Sequence, residues 1–203
     1  EITGQAIISE SPIPIEVDAY IPGTVSNIIS KEGVTVTSNG CLIQGIIGIG
    51  GEKKGLIKVL EEDFNMSLQE KILPTYKDKI IVIPSYLSYD IFKILNKIGV
   101  KGIVCGGIDY SSLTKILRRP LGVAITGMED VSTVIVTEGF GDISMASRTF
   151  NLLKQSHDKF ASINGATQIR AGVMRPEIFI ANKEESDNTA IFDEESLVLS
   201  LGS

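Results

Sequence analysis

Ile80-Ile81-Val82-Ile83-Pro84-Ser85-Tyr86-Leu87-Ser88-Tyr89-Asp90-Ile91-Phe92-Lys93-Ile94-Leu95-Asn96-Lys97-Ile98-Gly99-Val100-Lys101-Gly102-Ile103-Val104-Cys105-Gly106-Gly107-Ile108-Asp109 is the stretch whose reading decides the fold. Ile80 to Ile83 is a β-branched run between Asp78 and Pro84 and reads as a strand buried on both faces. From Ser88 the apolar period becomes 3.6, with Leu87, Ile91, Ile94, Leu95 and Ile98 on one helical face and Gly99 placed to end the helix. Lys101 to Cys105 is a second strand. Asp109 caps a second helix with Leu113, Ile116 and Leu117 inward and Pro120 as its stop. Gly122 to Thr126 is expected to complete a βαβαβ series, parallel and right-handed. Val131 to Thr137 follows too closely for a helical crossover, so it is expected to pair antiparallel or to sit at an edge. A helix from Ser144 to His157, with Ala146, Phe150 and Leu153 buried, closes the unit.

Outward from this unit the character is β. Short runs at Ala6-Ile7-Ile8, Ile13 to Val17, Thr24 to Ile29, Val34 to Thr37, Cys41 to Ile47 and Leu56 to Leu60 are punctuated by Pro and Gly. Asn39-Gly40 between two such runs is the dipeptide of a type I′ hairpin. Several short strands so spaced suggest a small barrel or sandwich. Glu61 to Lys77 is a polar connector. Ala161 to Ile180 alternates again and is read as strands rejoining the N-terminal β part. The expected class is therefore α/β plus β, a small parallel-rich α/β unit (61–159) inserted in or following a β-barrel or sandwich-like domain (1–60 with 160–181). Asn182 to Ser203 is an acidic linker or tail. Glu1-Ile2-Thr3-Gly4-Gln5 reads as a strand already in progress, which suggests a piece of a longer polypeptide.

Composition excludes several function classes. The chain has 203 residues, 43% hydrophobic and 22% charged, ordinary globular usage. Its net charge of −6 is concentrated at the C-terminal end, where six acids from Asn182 to Ser203 face Lys183 alone. The remainder is near neutral and carries no basic stripe to follow phosphates, so no nucleic-acid binding is expected. The aliphatic runs are strand-sized, far short of the roughly 20 residues that span a bilayer, and no signal peptide or membrane partner is expected. Cys41 and Cys105 are scattered and His157 is the only histidine, so no disulfide framework, structural zinc or cofactor is expected. A reducing cytoplasm is the expected compartment.

The strand ends supply the candidate site. Ser85 follows the first strand, Gly106-Gly107 the second, Thr126-Gly127 the third, and Glu138-Gly139-Phe140-Gly141 the fourth. In open α/β sheets ligands sit beyond the carboxyl ends of strands, where glycine admits close backbone approach and helix N-termini offer free N–H groups to anions. Asp109 and Ser144, as helix caps, would border that rim. The competing reading is that these glycines only make tight turns. The run from Gly45 to Gly55 matches neither a phosphate loop, which needs Gly-Lys-Ser/Thr, nor a dinucleotide fingerprint. It reads as a glycine-rich hairpin or bulge, or as a partner-binding loop. Ser112-Leu113-Thr114-Lys115 has the Ser-x-x-Lys spacing of some acyl-transfer enzymes without their other signatures. His157 is expected to serve the end of a helix. Arg170 faces away from the core and would meet a carboxylate such as Glu138 or Glu177, or an anionic ligand.

Lys79 to Gly107, with its helix ending in Ile98-Gly99-Val100-Lys101-Gly102-Ile103-Val104 and its Gly-Gly, resembles the opening of DRTGG-type regulatory domains and, more loosely, swivelling β/β/α domains. The Asp-Arg-Thr-Gly-Gly run itself is absent. Ile21 to Val25, Gln44 to Glu52 and Ala161 to Arg170 are similar to segments of an uncharacterised bacterial family with a lipoyl-like barrel before this region and a KOW-like barrel after it. That resemblance implies a multi-domain parent whose neighbouring domains are partners, and it implies no activity. The expected function is a non-catalytic module that binds a small anionic ligand or a partner. The alternatives are an enzyme using Glu138 or Asp109 as base, and a scaffold whose rim is plugged by Phe140 and Met145.

Overall fold

The computed structural model describes residues 17–30, 32–60, 73–118, 124–125, 131–168 and 174–182. In chain order these form β1 (Thr24–Ile29), β2 (Gly33–Thr37), β3 (Gly40–Gln44), β4 (Ile47–Ile49), β5 (Glu52–Val59), a 3-10 turn (Leu73–Tyr76), β6 (Ile80–Tyr86), α1 (Tyr89–Ile98), β7 (Gly102–Ile108), α2 (Tyr110–Leu117), β8 (Ala124–Ile125), β9 (Thr133–Phe140), α3 (Ser147–Gln155), β10 (Phe160–Asn164), β11 (Thr167–Gln168) and β12 (Glu177–Ala181). The class is α/β plus β. Among the described residues no helix is long and apolar enough to cross a membrane.

Eight strands form one mixed sheet in the order β3-β12-β10-β5-β6-β7-β9-β4. β5, β6, β7 and β9 run parallel. β4 pairs antiparallel with β9, and β3, β12, β10 and β5 form an antiparallel ladder. The strands from 160–181 thus pair with strands from 40–59, and β5 belongs to both halves. The two ends of the order, β3 and β4, are consecutive in the chain. Gly45 donates to Pro176 O (2.8 Å) and Ile46 to Val136 O (2.8 Å), so the chain steps from one edge to the other and closes the sheet on itself.

Alternation along the parallel strands divides the core in two. Ile81, Ile83, Ile103, Cys105, Val134 and Val136 face α1 and α2 and meet Phe92, Leu95, Leu113 and Ile116. Ile80, Val82, Val104 and Ile135 face the antiparallel half and α3, meeting Ile163, Ile178, Ile180, Met145 and Leu153. The result is an antiparallel half, a parallel half and a layer of α1 and α2, with α3 on the antiparallel side, and β6, β7 and β9 are buried on both faces over most of their length, as their apolar runs require.

The α1 boundaries follow from local chemistry. Ser88 accepts from the Ile91 N–H at 3.3 Å, and Gly99 takes the left-handed conformation (φ 85°) that ends the helix. Leu87 and Leu95 are buried as expected, but Phe92 is buried where Ile94 is 40% exposed.

Four expectations are corrected. The third parallel strand is β9, not Gly122 to Thr126. Of that segment Ala124–Ile125 pairs antiparallel with β11, outside the main sheet. The interval between β7 and β9 holds α2 and meets the length that a parallel crossover demands, and Val134, Ile135 and Val136 are fully buried between both core layers. Val131 to Thr137 is accordingly no edge: it runs parallel to β7, and the expected antiparallel pairing is found only on its other side, with β4. Asn39-Gly40 makes no hairpin, because β2 pairs with β1 and β3 with β12. Gly50-Gly51 makes none either, since β4 and β5 lie in different parts of the sheet. The expected runs at Ala6-Ile7-Ile8 and at 13–16, and the tail from Lys183, lie outside the described residues.

Candidate functional site

At the carboxyl ends of the parallel strands the chain covers its own rim. Gly106 and Gly107 do not form a turn at the end of a strand. They lie inside β7, fully buried. A Cβ on Gly106 would stand 2.5 Å from Ile143 O and from Met145 N, and one on Gly107 would collide with Gly141 O. Residues 141–145 are laid directly across β7, held by Gly141 N to Ile108 O (2.9 Å) and Met145 N to Pro84 O (2.7 Å). These two glycines therefore admit the protein's own backbone. Gly139 and Gly141 differ, with φ of 132° and 118°, and they let the chain leave β9 and fold back. Met145 is buried in the core, whereas Phe140 is 47% exposed and lies against Tyr110 with ring centroids 6.2 Å apart.

A register shift opposite Cys105/Gly107 breaks the alternation of β9 at Glu138. The Glu138 carboxylate accepts from Ala146 N at 2.9 Å. A carboxylate eight residues upstream thus anchors the residue before α3, and Ser144, expected as the cap, does not serve as one. Ser144 is exposed and α3 starts only at Ser147, since the Met145 N–H is committed to Pro84 O rather than to a helical turn. Ala146, expected to be buried, is exposed at the N-cap and makes no side-chain cap bond. The first bond within the helix is Phe150 N to Ala146 O (3.0 Å), so the N–H groups of Ser147, Arg148 and Thr149 have no acceptor inside the helix. A cavity of about 470 Å³ opens at this end, lined by Ser85, Ser144, Ser147 and Asn151 together with Pro84 and Phe150. Three hydroxyls, a carboxamide and a helix N-terminus make it a place for negative charge.

Asp109 lies on the other side of the sheet end. It caps α2, accepting from Ser112 N at 2.8 Å, and also receives the hydroxyls of Ser111 (2.6 Å), Ser112 (2.6 Å) and Tyr86. The Ser111 and Ser112 hydroxyls, then Tyr86 and the Ser112 N–H, hold its carboxyl well below the usual carboxylate range. Its hydrogen bond to Asp109, with partial burial, pushes the Tyr86 phenol up. With both oxygens occupied, Asp109 has no lone pair directed at a ligand.

The remaining candidates scatter. Thr126, Gly127 and Arg170 lie outside the described residues. Ser112 is buried on Asp109, while Lys115 sits 5.6 Å from the Tyr89 ring, so the Ser-x-x-Lys pair does not converge. His157 follows α3. Its Nδ1 accepts from Val59 N (3.1 Å) and its Nε2 lies 3.3 Å from Lys58 Nζ, which pairs with Asp158 at 2.7 Å. This ties the end of α3 to β5. Burial pushes the Cys105 thiol up and hides it from reagents. Among the described residues no three His, Cys, Asp or Glu side chains gather to hold a metal. The cavity residues Ser147 and Asn151, four apart on α3, escaped the sequence reading because it began the helix three residues early. Tyr86 was legible only as the residue after Ser85.

No family model, no curated protein and no solved structure matches this chain.

Proposed function

We propose that the protein is a non-catalytic binding module whose ligand, a small anion or the anionic group of a larger molecule, enters the cavity between Ser85 and the start of α3. One observation carries this reading: the first turn of α3 lacks a side-chain cap of its own and opens into a hydroxyl-lined space of about 470 Å³. The carboxylates argue against catalysis. Asp109 has both oxygens taken up by four donors and so is not free to act as a base, and Glu138 is committed through one oxygen to the Ala146 N–H. The test is a thermal-shift and calorimetric screen with inorganic phosphate, nucleotides, coenzyme A and phosphorylated sugars. Ser147→Asp serves as the site variant. A carboxylate at the first helical position favours the helix dipole, so the unliganded protein keeps its stability while anion binding falls at least about tenfold. No shift with any of these anions overturns the proposal.

A further inference from the structure

β10 stops short of its partner. Its first residue, Phe160, lies opposite Leu56, yet β5 runs on to Val59. Backbone N–H groups alternate sides along a strand, so Ile57 and Val59 still present theirs toward β10, while Leu60 gives its own to Val82 O (2.9 Å) on the β6 side. The corner leading into β10 takes over. Ile57 N donates to Lys159 O (2.9 Å), and Asp158 N donates to Ile57 O (2.9 Å). The Val59 N–H meets no backbone acceptor and donates to Nδ1 of His157 at 3.1 Å. A side chain thus supplies the acceptor that a longer β10 would have supplied. The corner turns at Asp158, a non-glycine residue in the left-handed conformation (φ 62°), which persists only where its surroundings hold it.

This bond fixes the state of the ring. An imidazole nitrogen that accepts carries no proton, so the neutral ring holds its proton on Nε2. Asp158 Oδ2 lies 3.5 Å from that nitrogen, and Lys58 Nζ, 3.3 Å from it, is paired with Asp158 Oδ1 at 2.7 Å. One carboxylate therefore faces both. The Tyr76 phenol lies within the field of Lys58, and Lys79, ahead of β6, acts on Asp158. Lys154 and Lys159 are the nearest other charges along the chain. Lys58 holds the Asp158 carboxyl below its ordinary value and burial pushes the Tyr76 phenol up, so neither changes charge between about pH 5 and pH 8, where histidine titrates. The His157 side chain is 41% exposed and open to solvent protons.

We propose that His157 is a pH-sensitive latch on this corner: neutral, it closes the corner on β5, and protonated, it lets Val59 go. An imidazolium carries a proton on both nitrogens and accepts nothing, so the Val59 N–H would face another N–H. The flanking charges do not decide the outcome. Asp158 attracts the cation and Lys58 repels it from nearly the same distance, so the two Coulomb terms are similar in size and opposite in sign. What remains is the lost hydrogen bond. The latch is closed above the titration of the ring and opens as pH falls through it. It acts at the far end of α3 from the cavity, and it stands whether or not that cavity binds an anion.

Nuclear magnetic resonance of the untagged, isotope-labelled protein from about pH 8 to about pH 5 reads the latch directly, because the chain has a single histidine. Ring nitrogen spectra should place the neutral proton on Nε2. The Val59 amide resonance should move with the same midpoint as the ring. Its hydrogen-exchange protection, corrected for the intrinsic effect of pH, should fall at least about fivefold across that midpoint. His157→Asn sets a carboxamide oxygen near the place of Nδ1 and does not titrate, so Val59 should stay protected throughout. His157→Ala should leave Val59 unprotected at both ends of the range, and where H157A does not fold, wild type against H157N decides. A neutral ring with its proton on Nδ1 overturns the proposal. So does a Val59 amide indifferent to the titration of the ring, or an H157N corner that opens in acid as wild type does.

Discussion

Replacing Asp109 by alanine removes one acceptor that serves four donors, and the cost follows from where each donor lies. Loss of the α2 cap costs about 1 kcal/mol. Ser112 is 4% exposed and its hydroxyl loses a charged acceptor with little water to replace it, which adds about 1.5 kcal/mol. Tyr86 is half-buried and Ser111 exposed, so water compensates most of their share. The sum is about 2 to 4 kcal/mol at neutral pH. The pH dependence has a definite sign. The Asp109 carboxyl is depressed in the folded protein, so its contribution is complete above the unfolded value of about 3.9 and is lost as pH falls toward the folded value. Urea denaturation of wild type and D109A, followed by far-ultraviolet circular dichroism from neutral pH downward, should show a gap that is constant above about pH 5 and narrows below about pH 4. A gap under about 0.5 kcal/mol at neutral pH, or one that does not narrow in acid, would refute the assignment of these four bonds to an ionised carboxylate.

Gly107→Ala forces a Cβ into Gly141 O and should destabilise by about 2 to 4 kcal/mol in urea melts, because backbone yields less easily than a side chain. A neutral result would mean that residues 141–145 do not lie across β7. Glu138→Ala should cost about 1 kcal/mol through loss of the bond to Ala146 N, and Glu138→Gln less, since its amide oxygen still accepts. In the anion titration Glu138→Gln should bind a few-fold tighter than wild type, because a negative charge beside the cavity has been removed. Leu153→Ala, at a fully buried position between α3 and the sheet, should cost about 2 to 5 kcal/mol by thermal or urea unfolding.

What the sequence by itself determined was local. Ser88, Gly99 and Asp109 sit within a turn of the helix ends they serve, so their chemistry is readable from spacing alone, and each is found in the expected role. The run at Ile80 likewise announces a strand buried on both faces, and Lys101 to Cys105 announces a second strand. Choosing the third parallel strand was different in kind. Gly122 to Thr126 and Val131 to Thr137 both carry β character, and local pattern does not rank them. Only the space between the two core layers does, and it is filled by Val134, Ile135 and Val136.

The candidate site divides the same way. The glycines at 106 and 107 were visible as small residues, but whether they make room for a ligand or for the chain is decided by residues 141–145, more than thirty positions away. Tertiary structure alone brought Glu138 to Ala146, moved the start of α3 to Ser147 and left a cavity beside it. It alone also joined β3 to β4 through Gly45 and Ile46 to close the sheet. Caps are satisfied by atoms a few bonds away, whereas strand order, closure and cavities depend on which distant surfaces exclude water together, and no single segment carries that information.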